Sequence, residues 1–169
     1  AAEAHSYRAL AVETQLRKNG WLGRDVEFAN LIARAAAASD QQPDDVKYRF
    51  WLNYYRWRSI SRMRDEQTGD INLTSQAVQF TQRIVEELHK ARQLCPTFGP
   101  LYSVAGQLER FVLDQPAGAQ HIRKGFALAP NDPTACFLAG LLEAHEKNVE
   151  ASIRILRYAL ELDGGLFKD

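Results

Sequence analysis

The residues best suited to bind another molecule lie between Val46 and Arg64. This segment contains six basic residues and no acidic one, and six aromatic residues are interleaved with them. A guanidinium group can hold a carboxylate through two parallel hydrogen bonds, and its plane can stack on an aromatic ring. The same residue types also stack on the bases of single-stranded RNA. The segment therefore predicts a surface for an acidic peptide group or for RNA.

Charge balance separates these two classes of partner. Lys plus Arg and Asp plus Glu each number 21 in the 169 residues, so the formal net charge is zero. Domains that bind nucleic acids usually carry a basic excess that neutralises phosphates. The neutral total argues against a nucleic acid, and a strong salt dependence of oligonucleotide binding would favour it again.

The motifs of catalysis and of cofactor binding are absent from the sequence. The two cysteines, Cys95 and Cys136, form no CxxC pair, and the glycine-rich motifs of dinucleotide, phosphate and hydrolase sites do not occur. The four histidines lack the spacing of metal ligands: His5, His89, His121 and His145. We therefore expect a protein that is not an enzyme and that uses no metal or cofactor. The cysteines are expected to be free thiols, which leaves the compartment, cytoplasmic or periplasmic, undetermined.

Helices must position the binding residues, because no β-strand pattern occurs and the chain repeats itself at a helical-hairpin interval. The sequence matches itself when it is shifted by 34 residues. The matched positions are Tyr102 with Cys136, Ala105-Gly106 with Ala139-Gly140, Leu108 with Leu142, Ile122 with Leu156, and Leu128 with Leu162. Pro100 and Pro133 stand where proline is favoured, in the first helical turn of each unit, while Pro130 and Gly164 end the second helices.

Small residues recur at the places where the paired helices should meet. Gly106 and Gly140 fall in the middle of the first helix of each pair, and Gly118 and Ser152 fall near the start of the second. Glycine inside a helix lowers helix stability by roughly 1 kcal/mol relative to alanine. Its recurrence at equivalent positions therefore indicates that packing requires a small residue there. Close antiparallel packing of the two backbones explains this requirement.

With these positions in place, residues 132–165 resemble one complete unit of the tetratricopeptide repeat family. Gly140 matches the small residue in the middle of the family's first helix, and residues 159–163 match its closing segment. Cys136 and Gly164 depart from the pattern, which usually has an aromatic residue and a proline there. In the unit before it, Gly125 stands where the family usually has alanine.

The resemblance implies an all-α fold, a right-handed superhelical stack of about four antiparallel helix hairpins with about eight helices. We expect one domain over residues 1–169, built from hairpins at 1–40, 43–96, 99–130 and 133–164. The second hairpin is elongated, with helices near 44–66 and 74–95.

The first helices of successive hairpins line the concave surface in this family, and three sets of residues lie in that register. The predicted partner-binding residues are Arg49, Asn53 and Arg56, then Gln107, Arg110 and Phe111, then Phe137, Leu141 and His145. Such a surface grades from basic to apolar, and suits a protein or peptide segment with an acidic group toward one end. In the alternative interpretation the arginines cap a core helix and the apolar residues pack against neighbours.

Two further functional hypotheses stay open at the level of the sequence. The helix at 46–64 could bind RNA, or the chain could be an accessory repeat domain of a larger bacterial protein, membrane-attached or enzymatic. No segment has the length and apolarity of a transmembrane span or the pattern of a secretory signal. Leu166 and Phe167 predict a further contact at the C-terminal end, with additional repeats or with a second copy of the chain.

Overall fold

The computed structural model of the protein describes residues 1–163, and α-helices dominate this range. In chain order the helices are α1 (Ala2–Lys18), α2 (Asp25–Gln41), α3 (Val46–Ser61), α4 (Ser75–Leu94), α5 (Gly99–Gln107), α6 (Ala117–Leu128), α7 (Pro133–His145) and α8 (Val149–Leu162). A π-helical turn, Leu108–Val112, directly continues α5. Within the described range there is no β-strand beyond one isolated bridge between Arg64 and Ile71. The prediction of paired helices is confirmed, whereas Gly164, Leu166 and Phe167 lie outside the described residues.

The helix starts follow the capping residues that the sequence supplies. The Asp45 carboxylate accepts a hydrogen bond from the backbone N–H of Lys47 at 2.9 Å, and that of Asp132 accepts from Ala135 at 2.7 Å. Both bonds satisfy donors that the first helical turn leaves without a partner. Pro100 is the second residue of α5 and Pro133 is the first residue of α7, so both lie in the first helical turn, as predicted.

Helix α3 is shorter than predicted, since it ends at Ser61 and not near residue 66. The chain then turns through residues 62–74, where the N–H of Asn72 donates to the carbonyl oxygen of Met63 at 2.7 Å. The Asp65 carboxylate accepts from the N–H groups of Thr68 and Gln67, and these hydrogen bonds lower its pKa. These local hydrogen bonds compete with helix continuation.

The chain divides after Leu94 into two compact units. In the first unit α1 packs on α2, α2 on α3 and α3 on α4. Its core is centred on Leu16, Trp21, Phe28 and Leu31, which are all buried. In the second unit α5 packs on α6 and α7 on α8, around Ile122, Leu138 and Leu142.

Four glycines bring the backbones of α5 and α6 into direct contact. A Cβ atom added at Gly106 would lie 2.7 Å from the carbonyl oxygen of Gly118, and one added at Gly118 would lie 2.6 Å from that of Gly106. One added at Gly125 would lie 3.0 Å from the carbonyl oxygen of Gly99. Each helix thus carries two glycines seven residues apart, and the pairs oppose each other. Gly125 replaces the family's usual alanine because the α5 backbone leaves no room for a methyl group.

The hairpin of α7 and α8 closes by a related but less tight contact. A Cβ atom at Gly140 would meet the Leu156 side chain at 2.6 Å and the backbone nitrogen of that residue only at 3.4 Å. The Ser152 hydroxyl donates to the Gly140 carbonyl oxygen at 2.9 Å. The predicted packing around Gly106 and Gly140 is therefore confirmed in both hairpins.

Among residues 1–163, no helix combines the length and the apolar character that crossing a bilayer requires.

Candidate functional site

Five of the predicted residues lie on α7 or on α5 with its π-helical continuation, which are the first helices of the two hairpins in the second unit. We call this set the α5–α7 surface. Its members are Gln107, Arg110, Phe111, Leu141 and His145. The π-helical turn supplies two of them. In that turn the N–H of Leu113 donates to the carbonyl oxygen of Leu108 at 2.9 Å, five residues back. Because a π-helical turn is wider than an α-helical one, it changes the direction in which Arg110 and Phe111 leave the helix.

The cationic part of the α5–α7 surface is Arg110. Its Nη2 lies 3.3 Å from Nδ1 of His145, and its Nη1 lies 3.4 Å from the carboxylate of Asp114. The Arg110 side chain is 21% exposed, whereas that of Asp114 is 97% exposed. An ion pair with so exposed a partner is weak, so an incoming carboxylate can replace Asp114 at low cost.

The apolar part of the surface adjoins this arginine. Phe111 is 39% exposed, and the edge-to-face contact between its ring and that of His145 has a centroid distance of 5.8 Å. Leu141, one helical turn before His145, is 37% exposed. An acidic group and an apolar side chain of one ligand could therefore contact neighbouring parts of this surface.

A contact between buried Glu109 of the π-helical turn and half-buried His121 of α6 was not recognised from the sequence. Glu109 is 4% exposed, and its carboxylate lies 2.5 Å from Nδ1 of His121 on α6. This contact fastens the turn that carries Arg110 and Phe111 to the second helix of the hairpin. The two residues are 12 apart in the sequence, and that spacing alone does not distinguish them from solvated surface residues.

The remaining predicted residues of the second unit are more enclosed. Phe137 is half-buried and packs against the cluster that contains Ile122 and Leu138. Gln107 is also half-buried, one turn before Arg110. The packing of Phe137 agrees with the alternative interpretation of that residue as part of the core.

The stripe of α3, in the first unit, has a different environment from the α5–α7 surface. Arg49 donates from Nε to the carbonyl oxygen of Pro43 at 2.5 Å. Asn53 is 3% exposed and donates to the carbonyl oxygen of Arg49, and its own side-chain oxygen accepts from Arg56 at 3.3 Å. Only Arg56 among the three is exposed.

Arg56 lines a cleft whose walls are formed by residues of α2, α3 and α4. The cleft has a volume of about 870 Å³ and its wall includes Ile32, Ile60, Phe80 and Ile84. A different side of α3, with Tyr48, Trp51 and Tyr55, faces the space beside α1. The stripe of Arg49, Asn53 and Arg56 is thus not on the side of α3 that adjoins the first helix of the preceding hairpin.

Two other arginines of the basic segment are used inside the first unit. The guanidinium of Arg58 lies 4.7 Å from the ring centroid of Trp21, and Nε donates to the Tyr54 hydroxyl at 3.0 Å. Arg62 lies 4.7 Å from the Phe28 ring centroid and pairs with Asp25. Cation–π contacts of this kind stabilise the fold and leave fewer charges for a ligand.

Comparison with known proteins identifies relatives of the fold only. No protein-family model matches the sequence, and no curated protein does. Among solved structures, the chain is similar to TTC0263, a thermophilic TPR protein of Thermus thermophilus, with 12% identity and a TM-score of 0.64. The match covers 95% of this chain and 84% of that one.

A second solved structure, the MamA RS-1 ArsTM double mutant, is similar at 14% identity with a TM-score of 0.54. That match covers 96% of this chain and 75% of the other. At such low identity these matches establish the architecture and nothing about ligands. The chain therefore has a tetratricopeptide-repeat-like helical fold, as its internal repeat predicts.

Proposed function

We propose that the chain is a protein-interaction scaffold that binds a segment of a partner protein at the α5–α7 surface. The observation that carries this proposal is the contact of Arg110 with His145, beside the exposed ring of Phe111 and the exposed side chain of Leu141. The fold supports it, because helical repeats offer the side chains of neighbouring helices as one extended surface.

The ligand that this surface suits has an acidic side chain close to an apolar one. Its carboxylate would replace Asp114 at the Arg110 guanidinium, where two parallel hydrogen bonds can form. Its apolar side chain would pack on Phe111 and Leu141, which are the two large apolar members of the surface and are both exposed. Gln107, one turn away on α5, is placed to hydrogen-bond the ligand backbone.

The remaining predicted residues have supporting roles in this proposal. Arg56 is available to a ligand in the cleft of the first unit, and Asn53 and Arg49 orient it through their hydrogen bonds. Phe137 anchors α7 by packing against the core of the second unit. RNA binding by the helix at 46–64 is disfavoured, because Arg58 and Arg62 already contact aromatic rings of the fold.

A selection from displayed random peptides tests the proposal without a known partner. We expect the enriched peptides to contain an acidic residue within a helical turn or so of an apolar one. Their affinity should fall about tenfold or more in Arg110→Ala and in Phe111→Ala, because each variant removes a central contact. Arg157→Ala, which removes an exposed arginine of α8, is the matched control and should leave the affinity unchanged.

Two results would contradict the proposal. One is enrichment of peptides without an acidic residue, and the other is equal affinity of the wild type and the Arg110→Ala/Phe111→Ala double variant. Circular dichroism of each variant, compared with that of the wild type, shows that a lost affinity is not lost folding.

A further inference from the structure

A small pocket in the first unit combines a buried carboxylate with aromatic walls. The pocket lies beside α1, α2 and α3 and has a volume of about 200 Å³. Glu13 of α1 lines it, and this residue is only 3% exposed. Carboxylates are rarely buried to this extent unless a partner compensates the lost hydration. A ligand of this pocket would therefore contact both the carboxylate and the surrounding side chains.

The walls consist of aromatic rings from α3 and of small or aliphatic side chains from α1 and α2, in addition to Glu13. Tyr48, Trp51 and Tyr55 of α3 follow one another on one face of that helix, and the rings of Trp51 and Tyr55 stack at a centroid distance of 5.6 Å. Ala35 and Ala38 of α2 also line the pocket, and their small side chains leave its space open. Trp51 is 37% exposed, so the pocket has an aromatic rim at the solvent boundary.

The carboxylate of Glu13 keeps capacity for another donor. The Tyr55 hydroxyl donates to its Oε2 at 2.5 Å, and burial together with this hydrogen bond raises the pKa of Tyr55, so the hydroxyl stays protonated. The other oxygen, Oε1, lies 3.6 Å from Nη1 of Arg17, which is too long for a hydrogen bond. The Arg17 side chain is 55% exposed and can swing into solvent.

We propose that this pocket binds an alkylammonium group, of the kind carried by a lysine side chain or by a small free amine. The ammonium would donate to Oε1 of Glu13, while its charge and its methylene groups contact the Trp51 and Tyr55 rings. One water occupies roughly 30 Å³ in the liquid, so the pocket has room for an ammonium on a short alkyl chain. This site is independent of the α5–α7 surface and adds a cation-binding function to the proposed anion-binding one.

Titration with n-butylammonium, followed by the indole N–H resonance of Trp51 and by calorimetry, tests the pocket directly. We expect n-butylammonium to bind saturably. The neutral isostere 1-butanol should bind with an affinity at least about tenfold lower, because only the cation is attracted by the Glu13 carboxylate. Glu13→Gln should weaken n-butylammonium binding about tenfold, and Trp51→Leu about threefold. Glu150→Gln, which removes an exposed carboxylate of α8, should have no effect.

The two sources of the ammonium are separated by a peptide arm of the same experiment. If a lysine side chain is the ligand, acetyl-Gly-Lys-Gly-amide binds more tightly than n-butylammonium, and the norleucine analogue does not bind. If a free amine is the ligand, the peptide binds no better than n-butylammonium.

Three results would overturn the proposal. These are equal affinities for n-butylammonium and 1-butanol, an equal loss in Glu150→Gln and Glu13→Gln, or unchanged affinity in Trp51→Leu. The last variant decides the outcome if Glu13→Gln fails to fold, because Trp51 lies at the rim and is not one of the buried core residues.

Discussion

At the scale of single residues, the arginines of α3 divide into those that hold the first unit together and those that face solvent. The Arg58 guanidinium contacts both the Trp21 and the Tyr54 ring, with guanidinium-to-centroid distances of 4.7 and 5.3 Å. Trp21 itself has a left-handed backbone, with φ of 61°, and is buried. Arg58 thus covers a tryptophan whose backbone is unfavourable for a residue with a side chain.

Replacement of Arg58 measures this structural role. We expect Arg58→Ala to lower the free energy of unfolding by about 1–2 kcal/mol, since it removes two cation–π contacts and the hydrogen bond to Tyr54. Arg64→Ala, which truncates an exposed arginine three residues after the helix end, should change it by less than about 0.5 kcal/mol. Urea denaturation gives both values. Equal effects of the two substitutions would contradict the assigned role of Arg58.

The two cysteines provide a second test at the residue scale. Cys136 is fully buried, its Sγ donates to the carbonyl oxygen of Pro130 at 3.1 Å, and burial raises the pKa of its thiol. A raised pKa means less thiolate at neutral pH, and the thiolate is the reactive form. Iodoacetamide should therefore modify Cys95 first and Cys136 only after denaturation, as read by mass spectrometry. Modification of both at one rate in the folded protein would contradict the burial of Cys136.

At the scale of elements, the glycine contacts determine how closely each hairpin closes. The backbone of α6 blocks a side chain at Gly106, with the nitrogen of Ile122 at 2.6 Å from an added Cβ. At Gly140 the obstacle is the Leu156 side chain, which can rotate. The two glycines are equivalent in the sequence repeat but differ in what surrounds them.

Alanine at these two positions should therefore have unequal effects. Gly106→Ala should lower the free energy of unfolding by about 2 kcal/mol or more, because overpacking against a backbone exceeds the gain in helix propensity of roughly 1 kcal/mol. Gly140→Ala should cost less than about 1 kcal/mol, because the Leu156 side chain can move and the propensity gain offsets much of the strain. Thermal and urea unfolding of the pair give the comparison. A larger loss in Gly140→Ala would be inconsistent with the backbone contact between α5 and α6.

The N-terminal cap of α7 is a second property at this scale. Asp132→Ala removes the carboxylate that accepts from the N–H of Ala135, and it should cost about 1 kcal/mol. Asp132→Asn keeps an acceptor and should restore most of the loss. If both variants unfold at the same urea concentration as the wild type, the cap contributes nothing to stability.

Much of this element structure can be predicted from the sequence because the repeat is strong. The 34-residue interval places Gly106 and Gly140, and the prolines place the starts of α5 and α7. The π-helical turn after Gln107 could not be predicted, since Leu108 matches Leu142 of an ordinary helix in the repeat. Local periodicity does not encode the contact between Glu109 and His121 that fastens this turn.

The candidate site was less predictable than the elements, because it depends on which side of each helix faces a neighbour. Arg110, Phe111 and His145 were predicted from one register, and the structure brings them together. The same register on α3 leads to Arg49 and Asn53, whose side chains bond within their own segment. The ring of Tyr54 on α3 contacts that of Trp21, which is distant in sequence.

At the scale of the whole molecule, the charge balance and the use of its arginines favour a protein ligand. The net charge is zero, so the total charge of the protein provides no net attraction for a polyanion. We expect a single-stranded oligonucleotide to show no saturable binding at physiological salt in fluorescence anisotropy. Saturable binding that weakens steeply with added salt would instead favour the RNA hypothesis.

The measurement that tests the central claim most directly is an NMR titration of the labelled protein with a peptide from the display selection. The largest chemical-shift changes are predicted at Arg110, Phe111, Leu141 and His145, and they should vanish in Arg110→Ala/Phe111→Ala. The account would be contradicted if a peptide that binds saturably shifts the resonances of α8 or of the first unit and leaves those four residues unchanged.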